Sequence, residues 1–330
     1  MKKSIYVFTN GEMRRKDQTL YFEGEEGRKY IPVEDTKEIH IFGEVNVSKK
    51  FLEFCSQKEI ILHYYNYHGY YSGSFYPREH LNSGYMTVEQ VRHYLDEDKR
   101  YRLARLFVDG AGDNMLKVLR YYQNRGKEVG AVADRVESAL KDAEKTQDRP
   151  MLMAAEGHMR EAYYSAFDPI LQNKNFRFEK RSKRPPLNRL NALISFGNSI
   201  LYTILLSEIY KTHLDPRIGF LHTSNFRRFS LQLDVAEIFK PIIVDRLILK
   251  MVGKQMLTKK DFDQKLNGIL LSENGRKKFV AEMDERMKAT VKHRTLNRKV
   301  SYRRLLRMEL YKLQKHIMGE ETYKPFVSPW

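Results

Sequence analysis

Three acidic side chains and one histidine stand where apolar core is expected. In the run from Met151 to Tyr163, Leu152, Ala155, Met159, Ala162 and Tyr163 form an apolar stripe. Glu156, four residues after Leu152 and three before Met159, shares that face. A carboxylate so placed loses hydration unless a cation, a hydrogen-bond donor or a metal ion receives it. An ion pair with a core arginine accounts for it as well as a functional role does. The second group lies further on. His222 closes the apolar turn that follows Asp215, and Asp234 and Glu237, three apart on a short helix beginning near Ser230, project together. Two or three oxygens with one imidazole suit Mn²⁺ or Mg²⁺ better than a structural zinc site, which takes more Cys or His. Such an ion activates water or a 3′-hydroxyl and neutralises charge developing on a phosphodiester. Taken singly, His222 reads as a satisfied core histidine and Asp234 as a loop-holding acceptor; their joint occurrence in a basic helical region favours the metal centre. His63, His68, His158, His213 and His316 have no comparable carboxylate pairing.

The charge agrees with a phosphate substrate. The chain carries 59 Lys+Arg against 42 Asp+Glu, a formal +17. Residues 1–78 hold 12 basic and 11 acidic side chains, so nearly the whole excess lies in 79–330. That asymmetry points to a polyanion, nucleic acid first and a membrane surface as its rival, without choosing DNA over RNA. Two segments concentrate it. One is the loop from Phe176 to Pro186, with Arg177, Lys180, Arg181, Lys183 and Arg184; the other runs from Arg276 to Arg307 and includes Arg294 and Arg298, with few opposing acids. We read both as phosphate-tracking surfaces.

These residues need a scaffold, and the patterning supplies an α+β multidomain chain. Short alternating strands at Ser4–Phe8, Thr19–Phe22, Lys29–Pro32, Glu38–Phe42, Ile60–Tyr65 and Tyr70–Phe75 predict a small β-sandwich over 1–78. One short helix capped by Ser48 interrupts it. The tyrosine-rich tract 64–71 fits a hairpin, with a base-stacking platform as the sharper alternative. A linker at 79–86 leads to a larger all-α catalytic domain over 87–330, with helices at 87–108, 112–125, 128–147, 150–167, 187–211, 230–238, 242–252, 259–271, 275–290 and 298–317. The apolar stretch Leu190–Leu206 is short for a bilayer span and reads as a buried central helix. The single cysteine, Cys55, excludes a disulfide framework and reads as a core residue, and the start MKKSIYVF lacks the apolar run of a signal peptide, so an intracellular, cytoplasmic protein is expected. The tail 323–330 is expected to fray or await a partner.

Several motifs carry a resemblance. They are Glu156-Gly157 with Tyr163; Arg184-Pro185-Pro186-Leu187-Asn188 with Asn191-Ala192-Leu193; Gly219-Phe220-Leu221-His222; and Ser230-Leu231-Gln232-Leu233-Asp234-Val235-Ala236-Glu237 with Pro241. In the first domain they are Ile39 to Gly43, Val47-Ser48, Ile60-Ile61-Leu62 and Gly69-Tyr70. Over nearly its whole length the chain resembles the universal CRISPR-associated integrase and endonuclease family, Cas-one. The resemblance implies a metal-dependent DNA enzyme that joins spacer 3′-hydroxyl ends to repeat DNA. It implies an N-terminal β domain pairing two subunits into a homodimer, double-stranded and branched DNA as substrates, and the companion protein Cas-two bridging two dimers, with no membrane role. Mn²⁺ or Mg²⁺ ligands carry over onto Glu156, His222 and Glu237, with Asp234 a supporting or alternative ligand. Many members have Asp where this chain has Glu237, and the loop Thr223–Arg228 lacks the commoner acidic residue after the histidine. A non-catalytic nucleic-acid-binding scaffold is the alternative reading.

Overall fold

The structure, a computed structural model, describes residues 2–78, 81, 83–223, 229–265, 268–293 and 296–330. It divides into two units, residues 1–82 and 83–330. The first is β-rich, with β1 (Lys3–Val7), β2 (Gly11–Lys16), β3 (Thr19–Gly24), β4 (Gly27–Ile31), β5 (Thr36–Ile41), β6 (Val45–Val47), α1 (Lys49–Gln57), β7 (Ile61–Tyr65) and β8 (Tyr71–Phe75). One four-stranded sheet has the order β1-β5-β7-β8, with β5 parallel to both neighbours and β8 antiparallel to β7. The other has the order β4-β3-β2-β6. Met13, Leu20 and Phe22 of the second sheet share one core with Ile39, Ile41 and Leu62 of the first and with Phe51, Phe54 and Cys55 of α1. Ser48 caps α1, its Oγ accepting from Phe51 N at 3.3 Å. Burial pushes the Cys55 thiol up to about 12, which suits an inert core residue. Within the tyrosine tract, Tyr65 packs inward, stacking on Phe42 with ring centroids 4.2 Å apart. Strand β2 escaped the pattern reading because Met13 is its only buried residue and the other positions are Gly, Glu, Arg and Lys.

The second unit is mainly helical: α2 (Gly84–Leu95), α3 (Glu97–Gln123), α4 (Gly130–Ala143), α5 (Arg149–Tyr164), α6 (Phe167–Leu171), α7 (Arg189–Ile209), α8 (Leu231–Lys240) and α9 (Arg246–Gly253). Then come β9 (Phe262–Lys265), β10 (Gly268–Leu271), α10 (Glu273–Lys288), β11 (Thr290–His293), β12 (Arg298–Ser301) and α11 (Tyr302–Ile317). The second unit differs from expectation in several places. The break between the first two helices falls at Asp96, which ends α2 and caps α3 by accepting from Lys99 N at 3.0 Å, so α3 runs on unbroken through the 109–111 gap. The unit is not all-α: 259–271 is a 3₁₀ turn followed by the β9–β10 hairpin, and β11–β12 form a second hairpin. In the sequence, Asn267-Gly268 is the signal that favours a hairpin here, and Asn267 itself lies outside the described residues. Helix α7 has 21 residues and is therefore long enough to cross a bilayer, yet 89% of its most apolar window is buried inside the fold. Gly197 lets it pack closely, because a Cβ there would stand 2.6 Å from Val244 Cγ1 and 2.9 Å from Phe279 Cζ.

The C-terminal tail does not fray. Tyr323 is buried and donates to Glu309 at 2.6 Å, Phe326 stacks on Phe239 of α8, and Asn114 of α3 binds Phe326 O at 2.8 Å and Ser328 N at 2.9 Å. The second basic segment is also partly structural. Arg303 and Arg307 of α11 converge on the buried carboxylate of Glu208 at 2.5 and 2.7 Å, holding it below the usual range although burial alone would raise it. Glu208→Ala removes the buried carboxylate on which Arg303 and Arg307 converge. Chemical denaturation should show a loss of about 3 to 5 kcal/mol.

Candidate functional site

A buried carboxylate organises the turn before α8. Asp234, in the first turn of that helix and fully buried, accepts from Phe220 N at 2.5 Å and Leu221 N at 3.0 Å through Oδ2. Its Oδ1 accepts from His222 N at 2.9 Å and meets His222 Nδ1 at 2.8 Å. Ser230 supports the same turn, accepting from Gly219 N and donating to Arg217 O, each at 2.8 Å. Gly219 is required here by space, since a Cβ would stand 2.7 Å from Asp234 Oδ2 and 2.8 Å from Ser230 C. An ionised carboxylate only accepts, so Nδ1 of His222 carries a proton, and whenever the ring is neutral it is Nε2 that presents the lone pair. That Nε2 lies 3.9 Å from Glu237 Oε1. Burial lowers the His222 pKa, but the Asp234 hydrogen bond and the charges of Asp234 and Glu237 outweigh it and leave it raised.

Glu156 sits on α5, whose start is set by Asp148 accepting from Met151 N at 2.8 Å and by Pro150 in the first turn. As expected, Leu152, Met159 and Tyr163 of that helix are buried. The partner of Glu156 is an arginine of its own helix: Arg160 Nε donates to Glu156 Oε1 at 2.6 Å. The same guanidinium donates from Nη2 to Glu237 Oε2, and Lys240 Nζ donates to Glu237 Oε1 at 2.5 Å. Arg160 thus bridges the two candidate ligands Glu156 and Glu237. Burial would push the Glu237 carboxyl up; Arg160, Lys240 and His222 hold it down at about 2. Among the described residues no three His, Cys, Asp or Glu side chains stand converged as a ready ligand group. The reason is geometric: Glu156 and Glu237 close on a guanidinium rather than on each other.

The donor chemistry nevertheless fits a divalent ion. Two carboxylates already bracket a cationic group, and an imidazole oriented by a carboxylate on its far nitrogen stands beside them. Asp234 itself is spent on three backbone N–H groups and the imidazole, which makes it a supporting residue for His222. Arg160 and Lys240 were not singled out from sequence, although Arg160 four after Glu156 and Lys240 three after Glu237 have the spacing of helical ion pairs.

Of the basic side chains, Arg177, Lys180, Lys183, Arg184 and Arg298 are exposed. Arg181 is tied to the start of α7, donating to Asn191 Oδ1 and Ser195 Oγ at 3.0 Å each. Lys183 is held below the usual lysine value by desolvation and by the like charges of Arg181 and Lys240, which the charges of Glu237 and Glu156 oppose. In the second hairpin Lys292 faces Lys299 across the strands, a like-charge pair that an anion would relieve. Arg294 lies outside the described residues.

A β-rich unit followed by a helical unit is an architecture shared with solved structures. A CAS1 protein from Thermotoga maritima matches with a TM-score of 0.89 at 47% identity, covering 97% of this chain and 98% of that one. A casposase bound to integration product shares the fold with a TM-score of 0.89 at 19% identity, covering 100% of this chain and 94% of that one. The class is therefore that of the Cas1-like fold. Residues 5–285 match the family described as CRISPR associated protein Cas1, and the chain is 58% identical over 330 residues, the whole of both chains, to the CRISPR-associated endonuclease Cas1 2 of Thermodesulfovibrio yellowstonii. The chain belongs to the Cas1 family.

Because the Glu237 pKa is depressed, its stabilising contribution is present above its ordinary 4.5 and is lost as pH falls towards about 2. Urea unfolding across that window should therefore show the stability gap between the parent and Glu237→Gln at its widest above pH 4.5 and narrowing as the pH drops. A second expectation concerns the turn. Gly219→Ala should displace the turn from Asp234 and broaden or shift the His222 imidazole NMR signals, which Gly157→Ala, open to solvent, should leave in place.

Proposed function

We propose that this protein is a CRISPR adaptation integrase with nuclease activity, joining spacer 3′-hydroxyl ends to repeat DNA. The observation that carries the reading is His222, oriented by Asp234 with Nε2 facing a Glu237–Arg160–Glu156 cluster, in a chain of the Cas1 family. Glu156, His222 and Glu237 would hold Mn²⁺ or Mg²⁺. When bound, the ion supplies activation of the attacking hydroxyl and neutralisation of charge on the phosphodiester. In the transfer, the incoming 3′ oxygen bonds to phosphorus as the repeat strand's own 3′ oxygen leaves. The number of phosphodiester bonds is unchanged and no external energy source is needed. Water in place of the 3′-hydroxyl gives cleavage.

The chain's own residues do the rest. Asp234 fixes the tautomer and aim of His222, and Lys240 keeps Glu237 ionised. Arg177, Lys180, Lys183, Arg184 and Arg298 would gather phosphates, with Arg181 shaping the loop that carries the first four. No base-reading module is evident, so the choice of repeat ends rests on DNA shape or a partner. The first unit, a small sandwich of two four-stranded sheets, would pair two subunits, with Cas-two bridging the resulting dimers.

The ion pairs of Glu156 and Glu237 favour one rival, a non-catalytic nucleic-acid scaffold whose acids are purely structural. Integration and cleavage assays on branched and supercoiled DNA separate the two. Glu156→Ala and His222→Ala should fall to the level the parent shows without divalent metal, and Asp234→Asn should lose roughly 10- to 100-fold. Parent-like joining by Glu156→Ala would establish the scaffold. For DNA binding, Arg298→Ala should weaken affinity evenly across sequences and lower the salt slope by about 1.

A further inference from the structure

The cluster contains one charge that the function above does not use. Asp245 lies in the π-helical turn Pro241–Asp245 that joins α8 to α9, and it is fully buried. Among the described residues, neither of its carboxylate oxygens has a hydrogen-bond partner. An ionisable group left this way costs several kcal/mol if charged, and native folds seldom retain one without a use. A matching orphan is Nη1 of Arg160, buried and likewise without a partner among the described residues. Burial raises the Asp245 carboxyl to about 7, against the pull of Arg160 first, then Lys240 and Arg181, with Glu237 adding to the rise. From α5, Tyr163 and Tyr164 also face it and feel its charge. One orphan thus sits on the long side chain of Arg160 and the other in the Pro241–Asp245 turn, and the charge of Arg160 acts on Asp245.

We propose that Arg160 is a displaceable counter-cation with two berths: it bridges Glu156 and Glu237 in one arrangement and turns onto Asp245 in the other, yielding the two carboxylates to a divalent cation. The proposal rests on the metal reading above. Charge balance supports it. With Arg160 on the glutamates, two cations, Arg160 and Lys240, meet two anions, and Asp245 is most comfortable protonated. A divalent ion added to that set would leave the guanidinium buried beside like charge. Moved to Asp245, Arg160 forms a pair of its own, and the buried carboxylate gains the partner it lacks. Geometry supports it as well, because Glu156 and Glu237 stay apart as ligands for as long as the guanidinium stands between them. Arg160 and Asp245 are positioning residues in this scheme, and neither is asked to touch DNA.

The test is Mn²⁺ binding to the full chain without DNA, followed by the EPR signal of the free ion, for the parent, Asp245→Asn, Arg160→Gln and the double variant. Asp245→Asn keeps the side chain's shape and removes the second berth, so Mn²⁺ affinity should fall by about 10- to 100-fold. Arg160→Gln removes the competing cation and should bind at least as tightly as the parent. In that background Asp245→Asn should cost little further. Parent-like affinity in Asp245→Asn overturns the proposal, as does an Asp245 defect that persists undiminished in the double variant. Should Asp245→Asn fail to fold, Arg160→Gln alone decides: weaker Mn²⁺ binding than the parent sinks the two-berth account. A parent that binds no Mn²⁺ removes the metal reading, and this proposal with it, whereas a parent that binds while Asp245→Asn is unaffected sinks only the proposal.

Discussion

The centre of this protein depends on one buried carboxylate. Asp234 gathers the backbone N–H groups of Phe220, Leu221 and His222 and the Nδ1 of His222 onto two oxygens. Those donors would otherwise be orphans in an apolar turn whose Phe220 and Leu221 side chains are themselves buried, each costing about 1 to 3 kcal/mol. The chain satisfies them and aims the imidazole in the same stroke. Gly219 and Ser230 exist in this turn to let the carboxylate approach: the first by having no Cβ, the second by holding the loop from below. The surrounding helices then have a fixed point to pack against. The docked tail adds to this, with Phe326 stacked on Phe239 two residues past Glu237.

A second constraint is charge. Glu237, Lys240 and Asp245 are buried, and the half-buried Glu156, Arg160 and His222 border them, so each charge leans on its neighbours. The signs nearly cancel, which keeps the unit folded. Removing or adding one cation therefore forces a redistribution among the rest. That coupling makes the region suited to taking up a metal ion and to feeling phosphate nearby, and Lys183 shows that the basic loop is part of the same electrostatic system.

Much of this was legible in the sequence. Glu156 stood out because it interrupts an apolar helical stripe, and Asp234 and Glu237 because they share a helix face next to a histidine. The β-rich first unit and helical second unit follow from the change of period. What failed did so for identifiable reasons. Strand β2 is nearly all polar, so alternation was silent. The hairpin β9–β10 has apolar residues spaced as a helix would space them, and only Asn267-Gly268 spoke against it. The basic run 276–307 has the pattern of a phosphate-tracking surface, but Arg303 and Arg307 are consumed by Glu208, ninety-five or more positions away in sequence. The tail looked unstructured because its anchors, Asn114 and Glu309, lie on distant helices. Asp245 gave no signal, since its meaning comes from partners that α5 and the basic loop bring in.

The central claim is that His222, aimed by Asp234, stands with Glu156 and Glu237 as a divalent-metal centre. Pulsed EPR of Mn²⁺ added to protein labelled with ¹⁵N-histidine tests it most directly. The account predicts hyperfine coupling to one imidazole nitrogen, present in the parent and absent in His222→Ala. Bound Mn²⁺ with no such coupling, or coupling that survives in His222→Ala, would contradict it.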